Sequence, residues 1–136
     1  MDLEIYSQDP DDLSNMSDSD FTSKYDSIIL KSCKLLKDNR FACFVVGDIR
    51  NSSGLYKDFI TITKNAFYKA GLGLYNDIIL LNVIGSASMR INFTFATRKV
   101  CKIHQNVLVF YKGDAKKIGD HFENKLKNNG IDHSFL

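Results

Sequence analysis

Apolar positions along the chain fall into two kinds of pattern. Phe21, Tyr25, Ile28, Ile29, Leu35 and Leu36 recur at steps that line one side of a helix. Ser17 precedes them as an N-cap, with Asp20 three residues on in a variant of the capping box. The spacing predicts a helix over residues 18–36, stopped at Asp38 and Asn39. Phe59, Ile62, Ala66 and Phe67 mark a second helix, over residues 55–70, and Gly71 stands where a C-terminal cap belongs. Ile118, Phe122 and Leu126 predict a last helix, over residues 115–128, ended by Gly130. Residues 41–46, 74–83 and 106–111 are short continuous apolar runs, rich in β-branched and aromatic residues, which read as buried strands. Residues 1–16, with the turn signal Asp9-Pro10, are expected to be extended and irregular, and residues 84–105 a less regular connection.

The order helix, strand, helix, strand, loop, strand, helix predicts one α/β domain over residues 18–130. An acidic irregular segment (1–17) precedes it and a short tail (131–136) follows. A helix joining the first two strands makes them parallel, with a right-handed crossover. Strands apolar on both faces predict helices on both sides of the sheet. Three strands are few for such a sheet. They leave an apolar edge that calls for cover by a second chain or for a homodimer through the edge strand.

Composition narrows the class. A chain of 136 residues is one domain's worth, and ten Phe with six Tyr supply bulk for a core. The longest uncharged run, residues 78–89, is far short of the roughly 20 residues of a membrane span, so no membrane association is expected. An acidic N-terminus does not read as a secretory signal. Cys33, Cys43 and Cys101 lack metal-ligand spacing and read as reduced thiols packed in the core, consistent with a cytoplasmic protein. The net charge of +2 hides a split. Residues 1–20 hold seven of the sixteen acids and no base, so the other nine acids face all eighteen Lys and Arg. A basic body points to an anionic partner such as nucleic acid; the plainer alternative is a solvated surface.

Several stretches together resemble one family. They are Asp2-Leu3-Glu4-Ile5-Tyr6-Ser7, Asp12-Leu13-Ser14, and Phe44-Val45-Val46-Gly47-Asp48-Ile49-Arg50 with Gly54. Gly71 with Leu74-Tyr75-Asn76, Gly85-Ser86, Arg98-Lys99 and His104-Gln105-Asn106-Val107-Leu108-Val109-Phe110 with Lys112-Gly113-Asp114 complete the set. In this order they resemble the C-terminal half of phage and bacterial S-adenosylmethionine-dependent DNA amino-methyltransferases, over residues 2–117. The resemblance implies a partial Rossmann-like sheet. Its three strands would match the family's fifth, sixth and seventh, the last antiparallel and inserted between the two parallel ones, with helices flanking them.

In that family a polar-Pro-Pro-aromatic tetrapeptide directly precedes the segment that Asp2-Leu3-Glu4 resembles, and a glycine-rich cofactor loop lies further upstream. The only Gly-x-Gly candidate, Gly71-Leu72-Gly73, follows a helix instead. The expectation is a truncated or split methyltransferase that carries no catalytic residues, binds no S-adenosylmethionine alone and is inactive as an isolated chain. It would be completed by a second chain or survive as a non-catalytic DNA- or protein-binding module, in a bacterial or phage-infected cytoplasm.

Site residues follow from position and resemblance. Loops at the C-terminal ends of parallel strands form ligand crevices, which places Asp48 and Arg50 at the expected pocket for a flipped base. The alternative is a pair that orders its own loop. Tyr6, Ser7 and His104 join them as substrate-binding candidates by resemblance, although a lone His is as readily structural. Arg90, Arg98, Lys99 and Lys102 are candidates for phosphate contact, against the alternative of a solvated connection. No metal site is expected.

Overall fold

Ser17 starts the first helix as its spacing requires: its Oγ accepts from the Asp20 N–H at 3.2 Å and donates to Asp20 Oδ2 at 2.7 Å. The computed structural model describes residues 7–83 and 85–122. A single 3-10 turn, Leu13–Asn15, leads into α1 (Asp18–Leu35), β1 (Arg40–Val46), α2 (Phe59–Lys69), β2 (Gly73–Leu81), α3 (Gly85–Ala96) and β3 (His104–Lys112). A 3-10 turn, Ala115–Lys117, and the short α4 (Ile118–His121) follow. The rest of the helix expected over residues 115–128 lies outside the described residues.

The domain is α/β, and its sheet has the order β1-β3-β2 with both ladders antiparallel. β1 and β2 therefore point the same way without touching, because β3 separates them. No two described strands are hydrogen-bonded in parallel, so the parallel pairing of a Rossmann-like sheet is not found, while the last strand lies antiparallel between the first two as expected. The long connection through α3 returns the chain between the two earlier strands rather than beyond them.

One sheet face carries the core. Phe67 of α2 stacks on Phe110 of β3 at 3.9 Å between ring centroids, and Phe44 of β1 meets Phe67 edge-on at 5.1 Å. Leu108, Val46, Ala66, Leu72, Ile29 and Cys33 close around them. α1 lies against α2, where Tyr25 Oη and Thr63 Oγ1 share a hydrogen bond of 3.0 Å. Burial holds the Tyr25 phenol above its usual range. Lys112 of β3 ties the far end of α1 to the sheet. Its ammonium donates to the Leu36 and Cys33 carbonyls at 2.6 and 3.1 Å, where the end of a helix dipole favours a cation.

The expected second layer of helices is missing among the described residues. On the other face Cys43, Val45, Val107, Val109, Ile78 and Leu80 share a side by register, and only an aromatic group of Phe41, Tyr75, Tyr111 and Phe122 closes one end. Cys43 is accordingly exposed, not a core thiol, while Cys33 is buried and its thiol pushed up by desolvation. Residues 85–96, expected to be irregular, are helical, yet α3 buries none of its side chains. No helix among the described residues is long and apolar enough to cross a membrane.

Asp77 sits mid-strand in β2, where the Asn106 amide donates to it at 2.8 Å and Lys64 pairs with it at 3.1 Å. These contacts, the amide first, hold its carboxyl below the ordinary 3.8. A carboxylate lowered on folding adds stability above its unfolded pKa and loses it as pH falls through the folded value. Asp77→Asn is therefore expected to lower the urea midpoint at pH 7, and the gap to the parent should close as pH falls below 4.

Candidate nucleic-acid interface

The turn after β1 is a small hairpin. Ile49 accepts from the Lys57 N–H at 2.9 Å, Asn51 donates to the Leu55 carbonyl at 2.8 Å, and Gly54 donates back to Asn51 at 2.9 Å. Gly54 has φ +84°, a left-handed conformation that a side chain resists, and a Cβ there would meet Lys99 Nζ at 3.3 Å. The hairpin presents Arg50. Its guanidinium donates to the Gly54 carbonyl at 2.8 Å and lies 3.8 Å from the Tyr56 ring centroid.

Asp48 has a different task. Asp58, at the start of α2, sits in a left-handed conformation and makes no side-chain cap. Asp48 supplies the cap from the end of β1, accepting from the Phe59 N–H at 2.6 Å and the Ile60 N–H at 3.4 Å. Its carboxylate is thus held at a helix start, where negative charge is favoured.

α3 follows β2 at the same end of the sheet and brings the second set of residues. Asp48, Arg50, Tyr56, Arg90, Phe93, Thr94, Thr97, Lys99 and Lys102 line one open cleft of about 280 Å³. The fold so joins the two candidate groups that the sequence kept 40 residues apart: Asp48 and Arg50 with Arg90, Lys99 and Lys102. Arg98 lies at the neighbouring apolar cavity of about 620 Å³, beside Ile91, Phe95, Val100 and Ile103. His104 opens β3 opposite Leu81, at the same sheet end but outside the cleft. Ser7 is exposed and donates to Asp12 Oδ2 at 2.7 Å, within a local turn. Tyr6 lies outside the described residues.

Among the described residues no ion pair engages the cations of the cleft. Ion pairs between described residues engage Lys24, Lys57, Lys64, Lys69 and Lys112, all elsewhere. Arg90 reaches only Ser86 on its own helix, at 3.3 Å, and no described carboxylate pairs with Arg50, Arg98, Lys99 or Lys102. Phe93 and Phe95 stand 79% and 72% exposed beside these cations.

Arg98 is also held at a cost. α3 ends in a paired 6→1 and 5→2 motif, Lys99 N–H to the Thr94 carbonyl and Arg98 N–H to the Phe95 carbonyl, both 2.9 Å. α2 ends in the same motif with Gly71 at φ +84°, whereas α3 puts Arg98 there at φ +57°. Tyr56 was not legible as a site residue, because the sequence pattern placed it inside a helix.

Gly71 terminates α2 and Leu72 is buried, so Gly71-Leu72-Gly73 runs from helix to strand, the opposite order to a cofactor loop that opens a helix. Among them, no group of three or more His, Cys, Asp or Glu is placed to hold a metal. Comparison with family models, with curated proteins and with solved structures finds no match to this chain.

Asp48→Ala is expected to cost about 1–2 kcal/mol in urea unfolding, the range for a lost helix cap, while Asp48→Asn retains most of the stability.

Proposed function

We propose that this chain is the nucleic-acid-facing half of an S-adenosylmethionine-dependent DNA amino-methyltransferase-like fold, which binds DNA but transfers no methyl group unaided. One observation carries the DNA reading. Cations with no ion pair among the described residues, from the hairpin after β1, from α3 and from the segment after it, converge with exposed aromatics at the end of the sheet where β1 and β2 both finish. Lys and Arg without protein partners release DNA counterions most effectively, and flanking aromatic rings offer faces to unstacked bases. An arginine kept where backbone geometry prefers glycine is a local stability sacrifice of the kind that marks binding sites.

The methyltransferase part rests on the ordered sequence resemblance. A central strand antiparallel to two neighbours that share a direction is the arrangement which that resemblance implies, and it supports the reading. The chemistry requires a methyl donor held in line with an exocyclic amine. Pro10 is the only proline, so the polar-Pro-Pro-aromatic tetrapeptide is not among these 136 residues. A second chain bearing the catalytic and cofactor motifs would restore activity.

Duplex DNA titrated by fluorescence anisotropy tests the reading. The Arg98→Glu, Lys99→Glu double variant is expected to bind at least tenfold more weakly, with the slope of log affinity against log salt reduced by about 2. Unchanged affinity and slope would refute DNA contact here. Arg98→Gly separates binding from stability. It should protect the amides at the end of α3 by roughly 0.5–1 kcal/mol, by relieving the left-handed backbone, and weaken DNA binding severalfold. Methyl transfer from labelled cofactor to DNA by the purified chain alone should stay at background.

A further inference from the structure

We infer that the outer edge of β1 and the bare sheet face beside it are one docking surface, for a second polypeptide that contributes both a β-strand and a helix. The inference rests on packing alone and does not need the DNA or methyltransferase reading.

The two edges of the sheet differ. Along β2 the register shifts between Leu74 and Asn76, and Asp77 places a charge mid-strand. A bulge and a charge are the usual guards of an edge. β1 has neither. It pairs with β3 over seven consecutive positions without a shift, contains no Pro or Gly, and carries its one charge at Arg40, its first residue. Among the described residues nothing pairs with its other side. A regular, unguarded row of backbone donors and acceptors is a template for strand addition.

The bare face adjoins that edge. Val45, Ile78 and Leu80 are 57%, 51% and 45% exposed, and Cys43, Val107 and Val109 fill the space between them. None of the six is charged, and the polar side chains that share their side by register, Asn76 opposite Val109 and Gln105 opposite Leu80, are neutral amides, so an occupant must present an uncharged surface.

Size selects the occupant. Three strands about 4.8 Å apart make the face about 10 Å wide, so it offers only a few hundred Å² of accessible surface. A stable interface buries about 800 Å² on each side. A helix laid on the face alone falls short and leaves the edge open. A second copy paired edge to edge through β1 closes the edge but doubles the bare apolar sheet. A strand beside β1, with a helix crossing onto the face, covers both and brings the contact up to size.

The experiment uses the full chain in its source cell, with photoreactive benzoylphenylalanine at Val45 or, separately, at Leu80. Both positions are expected to crosslink to one and the same foreign polypeptide, through two different peptides. In that complex Cys43 should be alkylated by maleimide at least tenfold more slowly than in the purified chain. Val45→Lys, at an exposed position that leaves the core intact, should abolish the Leu80 crosslink and the Cys43 protection. Four results would overturn the inference: crosslinks between two copies of this chain, crosslinks to residues 123–136 of the same chain, different partners at the two positions, or no crosslink with Cys43 fully reactive in the extract.

Discussion

The stack of Phe67 on Phe110 is the contact on which the rest of the domain depends. Among the described strands β3 alone meets both others, and α2 lies on it. With Phe44 edge-on to Phe67, three rings join β1, β3 and α2 at a single point. Removing a buried ring of this kind costs about 3–5 kcal/mol, a large part of a small domain's stability. α1 reaches the sheet chiefly through α2, and two charged side chains fasten the helix ends from outside: Asp48 at the start of α2 and Lys112 at the end of α1. Both fastenings meet the dipole sign that their helix terminus presents.

Much of this arrangement was legible in the sequence, for identifiable reasons. The strands are apolar runs cut by turn residues, so their limits agree with expectation to within two residues. α1 combines a clean helical period with a Ser17 cap, and Gly71 ends α2 as its position indicated. The misses have physical causes too. α3 presents no buried stripe, so no helical period marks it. The hairpin over Arg50 and Tyr56 is set by Gly54 and by the Asn51 side chain, and it delays the start of α2 by four residues. The cap on α2 comes from Asp48, eleven residues before the helix begins, beyond any local signature.

Apolarity on both sides of the strands was read as burial on both sides. Among the described residues it does not hold, because a pattern reports what a side chain prefers, not what lies against it. Val45 and Ile78 are as apolar as any core residue, yet they face outward among the described residues. For the candidate site, position after a strand placed Asp48 and Arg50 at one end of the sheet, but it did not show that they share a cleft with Arg90, Lys99 and Lys102, nor separate their tasks. Arg50 is turned to the cleft over Tyr56, while Asp48 is turned to its helix.

The isolation of α3 has an energetic consequence. Twelve residues are about the length at which a lone helix is only marginal in water, and this one gains nothing from buried side chains. A partner settling upon it would have to tighten the helix as it bound. Calorimetry would register that as a loss of heat capacity larger than the touched surface alone accounts for, with an unfavourable entropy alongside. Arg90, the one cation of α3, thus stands on a helix that no buried side chain of its own holds in place.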